Sequence, residues 1–332
     1  MPNSHIVGTG SSIPKRVLSN NDLENIVDTS DEWITRRSGI KERRISSRKE
    51  KESATDLATK ASWKALEMAE ISPENLDMIV VGTVTPDRQF PSTACMVQKE
   101  LNATNAAAFD VSAGCSGFLY ALSVVQNAIS AGTSKNALVV GVERLSTILN
   151  WTDRSTCVLL GDGAGAVVVS ATPKKGGILS THLKSNGHLW DLLYSSYRNG
   201  NTITPTSLNE IDIKPFSLKM DGNPLFKRAV AYLSDIARAA LTHNALSSED
   251  IELFVPHQAN IRIIQGMAKN LRIPLEKVYT NVHKYGNTSS ASIPLALDEA
   301  NREGRMKTGD HVLLVAFGAG LTWASSMLKW VL

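Results

Sequence analysis

The sequence predicts a layered α/β fold made of two copies of one unit. Residues 71–80 and 246–255 share a pattern, in which a polar turn after an amphipathic helix leads into a short apolar strand. These segments are offset by 175 residues, and a second apolar pair, 137–142 and 311–316, is offset by 174. A spacing kept over several elements indicates internal duplication. Alternating helices and short apolar strands predict sheets buried between layers of helices.

The two copies are expected to span about 1–173 and 174–332, joined by the Pro/Lys/Gly segment 173–177. In a duplicated fold, loops at equivalent strand ends converge. We therefore expect one site built from five loops, which follow Thr83, Cys115, Val255, Tyr285 and Phe317. The alternative is two tandem, unconnected domains, but neither half alone carries a complete chemical set.

The first informative segment of the N-terminal half is a helix start with basic residues behind it. Residues 29–32 fit a capping box just before Trp33. The basic run at 36–44 that follows could bind nucleic acid, or the phosphates and base of a nucleotide-bearing ligand. It could equally be a solvated charged face. The small net charge of +3 argues against a nucleic-acid surface.

Cys115 stands between Gly114 and Gly117 at the point where a helical pattern begins. Apolar residues recur at helix spacing after it, at positions 118, 119, 122, 125 and 129. Free backbone N–H groups and the helix dipole stabilise a thiolate at a helix N-terminus, so the pattern predicts a nucleophile that attacks acyl groups. The alternative interpretation is a buried, inert cysteine.

Two glycine-rich segments accompany this cysteine. Residues 161–166 resemble a dinucleotide-binding loop, but the strand-like 167–169 follows where a helix is required, so we predict a tight turn between strands. Residues 317–321 also lead into a predicted strand, 322–328. Backbone N–H groups of that second loop could face an acyl oxygen.

His257 and Asn287 lie in the C-terminal half, at positions equivalent to strand and helix ends of the first half. A lone histidine or an asparagine before a helix is usually structural. Together with Cys115, however, they would form a catalytic set at one end of the fold. His283 competes for the role of base, but it lies in what we read as a polar loop.

Composition narrows the protein class. The 332 residues are 42% apolar and 20% charged, as in an ordinary globular protein. Residues 1–14 do not resemble a signal peptide, and no apolar stretch is long enough to span a membrane. Three cysteines without a Cys-x-x-Cys pair predict a reducing, cytoplasmic location. We expect no metal site and no membrane partner.

Taken together, the motifs resemble the thiolase-fold condensing enzymes, and most closely the β-ketoacyl-ACP synthase III family. The likeness covers almost the whole chain and is carried by residues 30–34, 113–117, 161–166, 256–260, 285–289 and 317–323. It implies a five-layer αβαβα fold with two pseudo-equivalent halves, and a homodimer. No cysteine follows Cys157, which disfavours a thiolase, and Asn287 replaces the second histidine of elongating ketosynthases.

The resemblance also implies roles for individual residues. Cys115, His257 and Asn287 would form the catalytic triad, and the N–H groups of Cys115 and Ala319 would form the oxyanion hole. Contacts to coenzyme A and its pantetheine arm would come from Trp33, Arg37, Arg154, Asn223, Phe226, Ala259 and Asn260. The acyl pocket would be formed by Leu145, Leu159, Met220 and, from the partner subunit, Phe90. Arg262 would help to dock the acidic carrier protein.

The implied reaction is a decarboxylative condensation of a short acyl-CoA, expected to be acetyl-CoA, with malonyl-ACP. It yields 3-oxoacyl-ACP and carbon dioxide, starts fatty-acid synthesis and needs no metal or organic cofactor. Two alternatives remain, a secondary-metabolite ketosynthase or acyltransferase of the same fold, and a non-catalytic acyl-carrier-binding scaffold. Residues 190–205 depart from the family pattern, so the acyl-chain length stays open. Ala319 stands in a run that is often all glycine, a change expected to be harmless because only its N–H is used.

Overall fold

Two large β-sheets alternate with three layers of helices in the computed structural model, which describes residues 2–47, 49–195 and 217–332. These residues also form two small sheets of two strands each. In these residues the strands are β1 (Asn3–Ser12), β2 (Arg16–Ser19), β3 (Glu42–Ile45), β4 (Met78–Gly82), β5 (Ala107–Val111), β6 (Asn136–Arg144), β7 (Asp162–Thr172), β8 (Gly177–Ser185), β9 (Leu193–Ser195), β10 (Leu218–Met220), β11 (Leu253–Pro256), β12 (His311–Gly318) and β13 (Thr322–Lys329).

The helices described are α1 (Asn20–Glu24), α2 (Asp31–Ser38), α3 (Ala54–Ala69), α4 (Thr93–Leu101), α5 (Gly117–Ser130), α6 (Arg154–Cys157), α7 (Gly222–His243), α8 (Ile261–Leu271), α9 (Val282–Tyr285) and α10 (Ser292–Arg302). Helices α3 and α4 cover the outer face of the first sheet, and α7 covers the outer face of the second and packs on α8. Helices α5 and α10 lie between the sheets. This is the five-layer αβαβα arrangement of the thiolase fold.

The two sheets repeat one another. The first has the order β1-β7-β6-β4-β5, and the second, written from its other edge, has the order β8-β13-β12-β11. In both, the first two pairings are antiparallel and the third is parallel. The first sheet adds β5 parallel to β4, whereas β11 meets only a bridge from Phe254 to Val278 at the equivalent edge. The division of the chain at 173/174 stays a prediction.

Helix α5 carries the apolar residues expected of a helix enclosed by two sheets. Phe118, Leu119, Leu122 and Val125 are at most 1% exposed, and they join a core that includes side chains from both sheets. A helix buried on most of its circumference has apolar residues nearly all round, unlike the one-sided stripe of a surface helix. The N-terminus of α5 is thereby held at the junction of the two halves.

Two local expectations were wrong. The cap of α2 is Ser30 rather than Thr29, because the hydroxyl of Ser30 accepts the N–H of Trp33. Residues 162–166 form the beginning of β7 and not a turn. Glycine is required there by packing, since a side chain on Gly165 would meet the backbone of Pro294 and Leu295 in α10.

None of the helices in the described part of the chain is long and apolar enough to cross a membrane.

Candidate active site

A cavity of about 740 Å³ opens where the strand ends of both halves meet. Each of the five loops expected to converge contributes to its wall, through Val84, Cys115, His257, Asn287 and Ala319. The three residues of the predicted triad therefore line one cavity, although they are separated by up to 172 positions in sequence. His283, the competing base, lies on α9.

Cys115 lies in a single 3₁₀ turn, residues 114–116, directly before α5. Its location at a helix start agrees with the sequence pattern, but its charge state does not. Burial raises the pKa of the thiol to about 12. Hydrogen bonds from the Ser289 hydroxyl and from the N–H of Cys115 act in the opposite direction, and the negative charge of Glu143 adds to the rise. The resting sulfur is therefore a thiol, and the expectation of a resting thiolate was wrong.

His257 is held just beyond the end of β11. Its backbone N–H donates to the carbonyl of Val315, and its Nδ1 lies 2.6 Å from Oγ of Ser292. The contact with Ser292 leaves Nε2 for the cavity. Burial lowers the pKa of the ring to about 3, so His257 is neutral at neutral pH. A neutral imidazole can donate from one nitrogen and accept at the other.

Asn287 is fixed by its own backbone and by the residue two positions on. Its N–H donates to the carbonyl of Leu159, its carbonyl accepts from Gly161, and its Oδ1 accepts the N–H of Ser289 at 2.8 Å. This leaves the Nδ2 group, a donor, for the cavity. Both residues line the cavity, so each can offer a nitrogen to a substrate bound there.

The backbone of Cys115 and that of Ala319 lie against each other. A side chain on Gly318 would collide with the backbone nitrogen of Cys115, and one on Gly114 would crowd the nitrogen of Ala319 at 2.5 Å. Gly114 also has a φ of 54°, in the left-handed region that favours glycine. The two glycines thus permit the close approach that brings both predicted oxyanion-hole nitrogens to one end of the cavity.

Glu143 is a residue that the sequence analysis missed. It lies fully buried near the end of β6, and its carboxylate accepts hydrogen bonds from Ser289 (3.1 Å), Ser290 (2.8 Å), Thr85 and the N–H of Val84 (3.2 Å). Burial raises its pKa to about 7. The available signal was an acidic residue following the wholly apolar run 137–142.

Arginines and aromatic rings gather in the outer part of the cavity. The guanidinium carbons of Arg37 and Arg154 lie 4.6 and 5.1 Å from the ring centre of Trp33, and Arg262 lies 5.6 Å from that of Phe226. Such cation–π pairs hold both members in place and leave positive charge for an anionic ligand. The remaining predicted residues that line this cavity are Asn223, Ala259, Asn260, Leu145, Leu159 and Met220.

Asn260 has a structural role besides its place in the cavity wall, and Phe90, predicted to act in the partner subunit, lies at the surface. Asn260 lines the cavity, yet its Oδ1 caps α8 by accepting the N–H of Ile263 at 3.0 Å, so its amide nitrogen remains for a ligand. Phe90 is outside the cavity wall of its own chain as described, and it is 82% exposed. Of the divergent stretch 190–205, Leu193, Tyr194 and Ser195 line the cavity, and 196–205 lie outside the described residues.

Comparison with known proteins gives a consistent result. Residues 109–187 match the family model described as 3-oxoacyl-[acyl-carrier-protein (ACP)] synthase III, and residues 241–330 match the model of its C-terminal part. A β-ketoacyl-[acyl-carrier-protein] synthase III of Caldanaerobacter subterraneus subsp. tengcongensis is 52% identical, over 98% of this chain and 97% of the relative.

Solved structures agree. The 3-oxoacyl-[acyl-carrier-protein] synthase III of Aquifex aeolicus superposes with a TM-score of 0.91 at 48% identity, covering 98% of this chain and 100% of the other. The priming β-ketosynthase of the R1128 polyketide biosynthetic pathway superposes with the same TM-score at 36% identity, covering 99% and 97%.

Proposed function

The chain belongs to the 3-oxoacyl-[acyl-carrier-protein] synthase III family, acyltransferases that start fatty-acid synthesis, and we propose that Cys115, His257 and Asn287 carry out its condensation. The proposed primer is a short acyl-CoA, acetyl-CoA first among them, and the proposed extender is malonyl-ACP. The observation that supports the proposal is the shared cavity, which all three residues line.

In the first half-reaction, the sulfur of Cys115 attacks the thioester carbon of the acyl-CoA. The bond from that carbon to the coenzyme A sulfur breaks, and a thioester to Cys115 forms. Negative charge develops on the acyl oxygen, where the N–H groups of Cys115 and Ala319 would hold it. Leu145, Leu159 and Met220 supply apolar wall for the acyl chain.

In the second half-reaction, malonyl-ACP loses carbon dioxide, and the bonding electrons pass into the thioester as an enolate. Nδ2 of Asn287 and Nε2 of His257 would donate hydrogen bonds to the enolate oxygen, which lowers the barrier to decarboxylation. A neutral His257 suits this role, and its low pKa keeps it neutral. The carbanion then attacks the acyl group on Cys115, whose sulfur leaves. Malonate supplies its own carbanion, so the proposed chemistry needs no metal or organic cofactor.

The outer cavity suits the nucleotide and pantetheine of coenzyme A. Trp33, with Arg37 and Arg154 against it, offers a flat face and two positive charges for a base and its phosphates. Asn223, Phe226, Ala259 and Asn260 line the same cavity and would form the tunnel for the pantetheine arm. Arg262 would meet acidic groups of the carrier protein.

A homodimer belongs to the same proposal. Strand β5 ends the first sheet with an open edge, and Phe109 on it and Phe90 before α4 are 36% and 82% exposed. Large exposed aromatics beside an open strand edge favour a second protein surface at that face. In this arrangement, Phe90 would reach the acyl pocket of the partner subunit.

The three free cysteines favour a cytoplasmic location.

A secondary-metabolite role is the second candidate, and it is favoured by the likeness to the R1128 priming ketosynthase at 36% identity. One experiment separates the two roles. The protein is incubated with acetyl-, butyryl- and longer acyl-CoAs, and its intact mass is measured before and after malonyl-ACP is added. A fatty-acid starter enzyme gains acetyl on Cys115 and then releases acetoacetyl-ACP. Preferential labelling by another acyl group favours the second role, and equal labelling of Cys115→Ala would contradict the role of Cys115.

A further inference from the structure

We propose that Arg43, which is not among the described residues of the cavity wall, is a positioning residue for Asn287 and acts on it through the segment 158–161. Loss of its guanidinium is expected to impair decarboxylation and to leave acyl transfer to Cys115 nearly intact. The inference rests on the proposed function, since it assumes that Asn287 stabilises the enolate.

Arg43 belongs to the basic run at 36–44, but it is not part of a charged surface. It lies on β3 and is 0% exposed. Burial lowers the pKa of its guanidinium to about 10, which leaves the group charged at neutral pH. A buried charge is costly unless hydrogen bonds replace its lost hydration. The bonds of this guanidinium therefore show which parts of the chain it holds.

The guanidinium makes four hydrogen bonds to three uncharged oxygens. Nη1 donates to the carbonyl of Leu18 at 3.1 Å and to Oδ1 of Asn20 at 2.9 Å. Nη2 donates to the same Oδ1 at 2.9 Å and to the carbonyl of Val158 at 2.7 Å. The shortest of these bonds thus joins β3 to the segment that lines the cavity with Val158, Leu159 and Leu160.

The segment 158–161 is in turn bonded to the backbone of Asn287 on both sides. The N–H of Asn287 donates to the carbonyl of Leu159 at 2.8 Å, and the N–H of Gly161 donates to the carbonyl of Asn287 at 3.0 Å. Together these bonds form a short parallel bridge. The position of Asn287 therefore follows that of the segment, one carbonyl of which is held by Arg43.

The aliphatic stem of Arg43 packs against the same junction. A side-chain carbon added to Gly161 would lie 3.1 Å from Cβ of Arg43, and one added to Gly286 would lie 3.3 Å from it. The carbon on Gly161 would also collide with the carbonyl of Tyr285, and that on Gly286 would lie 2.8 Å from the carbonyl of Leu159. The stem of Arg43 thus covers the place where the two segments meet, and its guanidinium bonds to one of them.

Asn20 connects this network to the outer cavity. Its Oδ1 accepts both bonds from Arg43, and its Nδ2 donates to Oδ1 of Asp31 at 2.8 Å. Asp31 is the first residue of α2, which carries Trp33 and Arg37. Because Asn20 keeps its bond to Asp31 when Arg43 is replaced, α2 and its outer-cavity residues should stay in place.

The first test is Arg43→Lys, which keeps the charge and most of the stem but lacks the forked guanidinium. We expect carbon dioxide release from malonyl-ACP to fall about 10- to 100-fold, since a small displacement of a positioned group has an effect of this size. Acetyl transfer from acetyl-CoA should change less than about threefold, because the sulfur and the oxyanion-hole nitrogens are untouched. Equal losses in the two half-reactions would overturn the proposal.

Two further variants support this comparison. Arg302→Lys is the matched control, because Arg302 is the last residue of α10 and bonds through Nε to the buried Asp298 at 3.0 Å. It should resemble the wild type in both half-reactions. Arg43→Met has no charge to bury with fewer partners, so it serves if Arg43→Lys does not fold, and it should separate the half-reactions in the same way.

A double variant distinguishes positioning from general support of the fold. Residues that act through one another have effects on the free energy that do not add. In the Asn287→Ala background, Arg43→Lys should therefore cause less than about threefold further loss of decarboxylation. Losses that multiply in the double variant would contradict an action through Asn287.

Amide hydrogen exchange tests the same link without substrate. In Arg43→Lys, exchange should become faster in peptides that contain 158–161 and 285–288 and should stay unchanged in α10. A uniform increase, or none, would contradict the proposal. A wild-type protein that neither takes up acetyl nor releases carbon dioxide would contradict the proposed function alone, because the exchange result does not depend on the reaction.

Discussion

The hydroxyl oxygen of Ser292 lies 2.6 Å from Nδ1 of His257, at the first residue of α10. The same oxygen accepts the N–H of Gln258 at 3.3 Å, so its own hydrogen is available to Nδ1. A hydroxyl that donates to Nδ1 places the ring hydrogen on Nε2, which is the donor that an enolate oxygen needs. The contact thus connects a helix start to the chemistry proposed for the cavity.

Removal of this hydroxyl should affect decarboxylation and leave acyl transfer in place. We expect Ser292→Ala to lower the rate of carbon dioxide release from malonyl-ACP about tenfold, the effect of one lost hydrogen bond that orients a catalytic group. Release of ¹⁴CO₂ measures it, and intact mass follows acylation. Ser325→Ala, which removes a buried hydroxyl bonded to Ile236 on α7, is the matched control. An equal loss in both variants would contradict the prediction.

Substitution of the two proposed enolate donors should separate the half-reactions. His257→Ala and Asn287→Ala should still gain acetyl from acetyl-CoA, because the sulfur and the oxyanion-hole nitrogens remain. Decarboxylation should fall by about 10²–10³ in each, the usual cost of one oxyanion donor. The measurement pairs intact-mass acylation with carbon dioxide release. Full condensation activity in both single variants would remove these residues from the mechanism.

The buried titratable groups predict how stability depends on pH. His257 has a pKa of about 3 in the native state and 6.5 when unfolded. Its contribution to the stability of the folded state is therefore lost as pH falls from 6.5 towards 3. Glu143 has the opposite sign, because its native pKa of about 7 exceeds 4.5, and its contribution is lost as pH rises from 4.5 to 7. Between pH 4.5 and 6.5, stability rises with pH because of His257 and falls by the same amount because of Glu143, so the two effects cancel.

Below pH 4.5, only His257 of these two groups should change the free energy of unfolding, by about 1.4 kcal/mol per pH unit. We therefore expect the urea midpoint to fall more steeply between pH 4.5 and 3.5 in the wild type than in His257→Gln, which cannot take up the proton. The comparison between the two proteins cancels the contributions of surface carboxylates. Parallel curves for wild type and variant would show that His257 does not titrate in this window.

Sequence patterns were sufficient for topology and for the position of Cys115 at a helix start. The repeated sequence offset predicted that the two halves have the same order of helices and strands, and the two large sheets do have equivalent strand orders. The glycines around Cys115 predicted a local backbone turn, and such a turn depends only on residues close in sequence. The structure then placed all five expected loops at one cavity.

Properties that depend on distant residues were not predictable in this way. The charge state of Cys115 follows from burial and from Ser289, 174 positions away, so a helix start alone gave the wrong answer. The glycines at 163 and 165 looked like a turn because their reason, contact with α10, lies about 130 residues further on. Glu143 was missed because its partners at 83–85 and 289–290 come from both halves.

The arginines of the outer cavity should affect substrate binding more than catalysis. We expect Arg37→Ala to raise the KM for acetyl-CoA about tenfold, since it removes a positive charge and a partner of Trp33, with kcat changed less than about threefold. Arg238→Ala, on the exposed side of α7 with Asp235 as its partner, is the control and should resemble wild type. Steady-state kinetics at two salt concentrations measure both. A loss confined to kcat would contradict a binding role.

The proposed dimer makes a prediction that separates assembly from chemistry. Phe109 lies at the open edge of β5, and a charged residue at this position should prevent a second subunit from binding there. We therefore expect Phe109→Asp to sediment as a monomer at micromolar concentration. Phe90→Ala should remain dimeric but acylate about tenfold more slowly, because the partner's acyl pocket would lose an apolar wall. Trp63→Ala removes another exposed aromatic, on α3, and should change neither property. Analytical ultracentrifugation with intact-mass acylation gives both readouts, and a fully active Phe109→Asp monomer would show that no residue from a partner is needed.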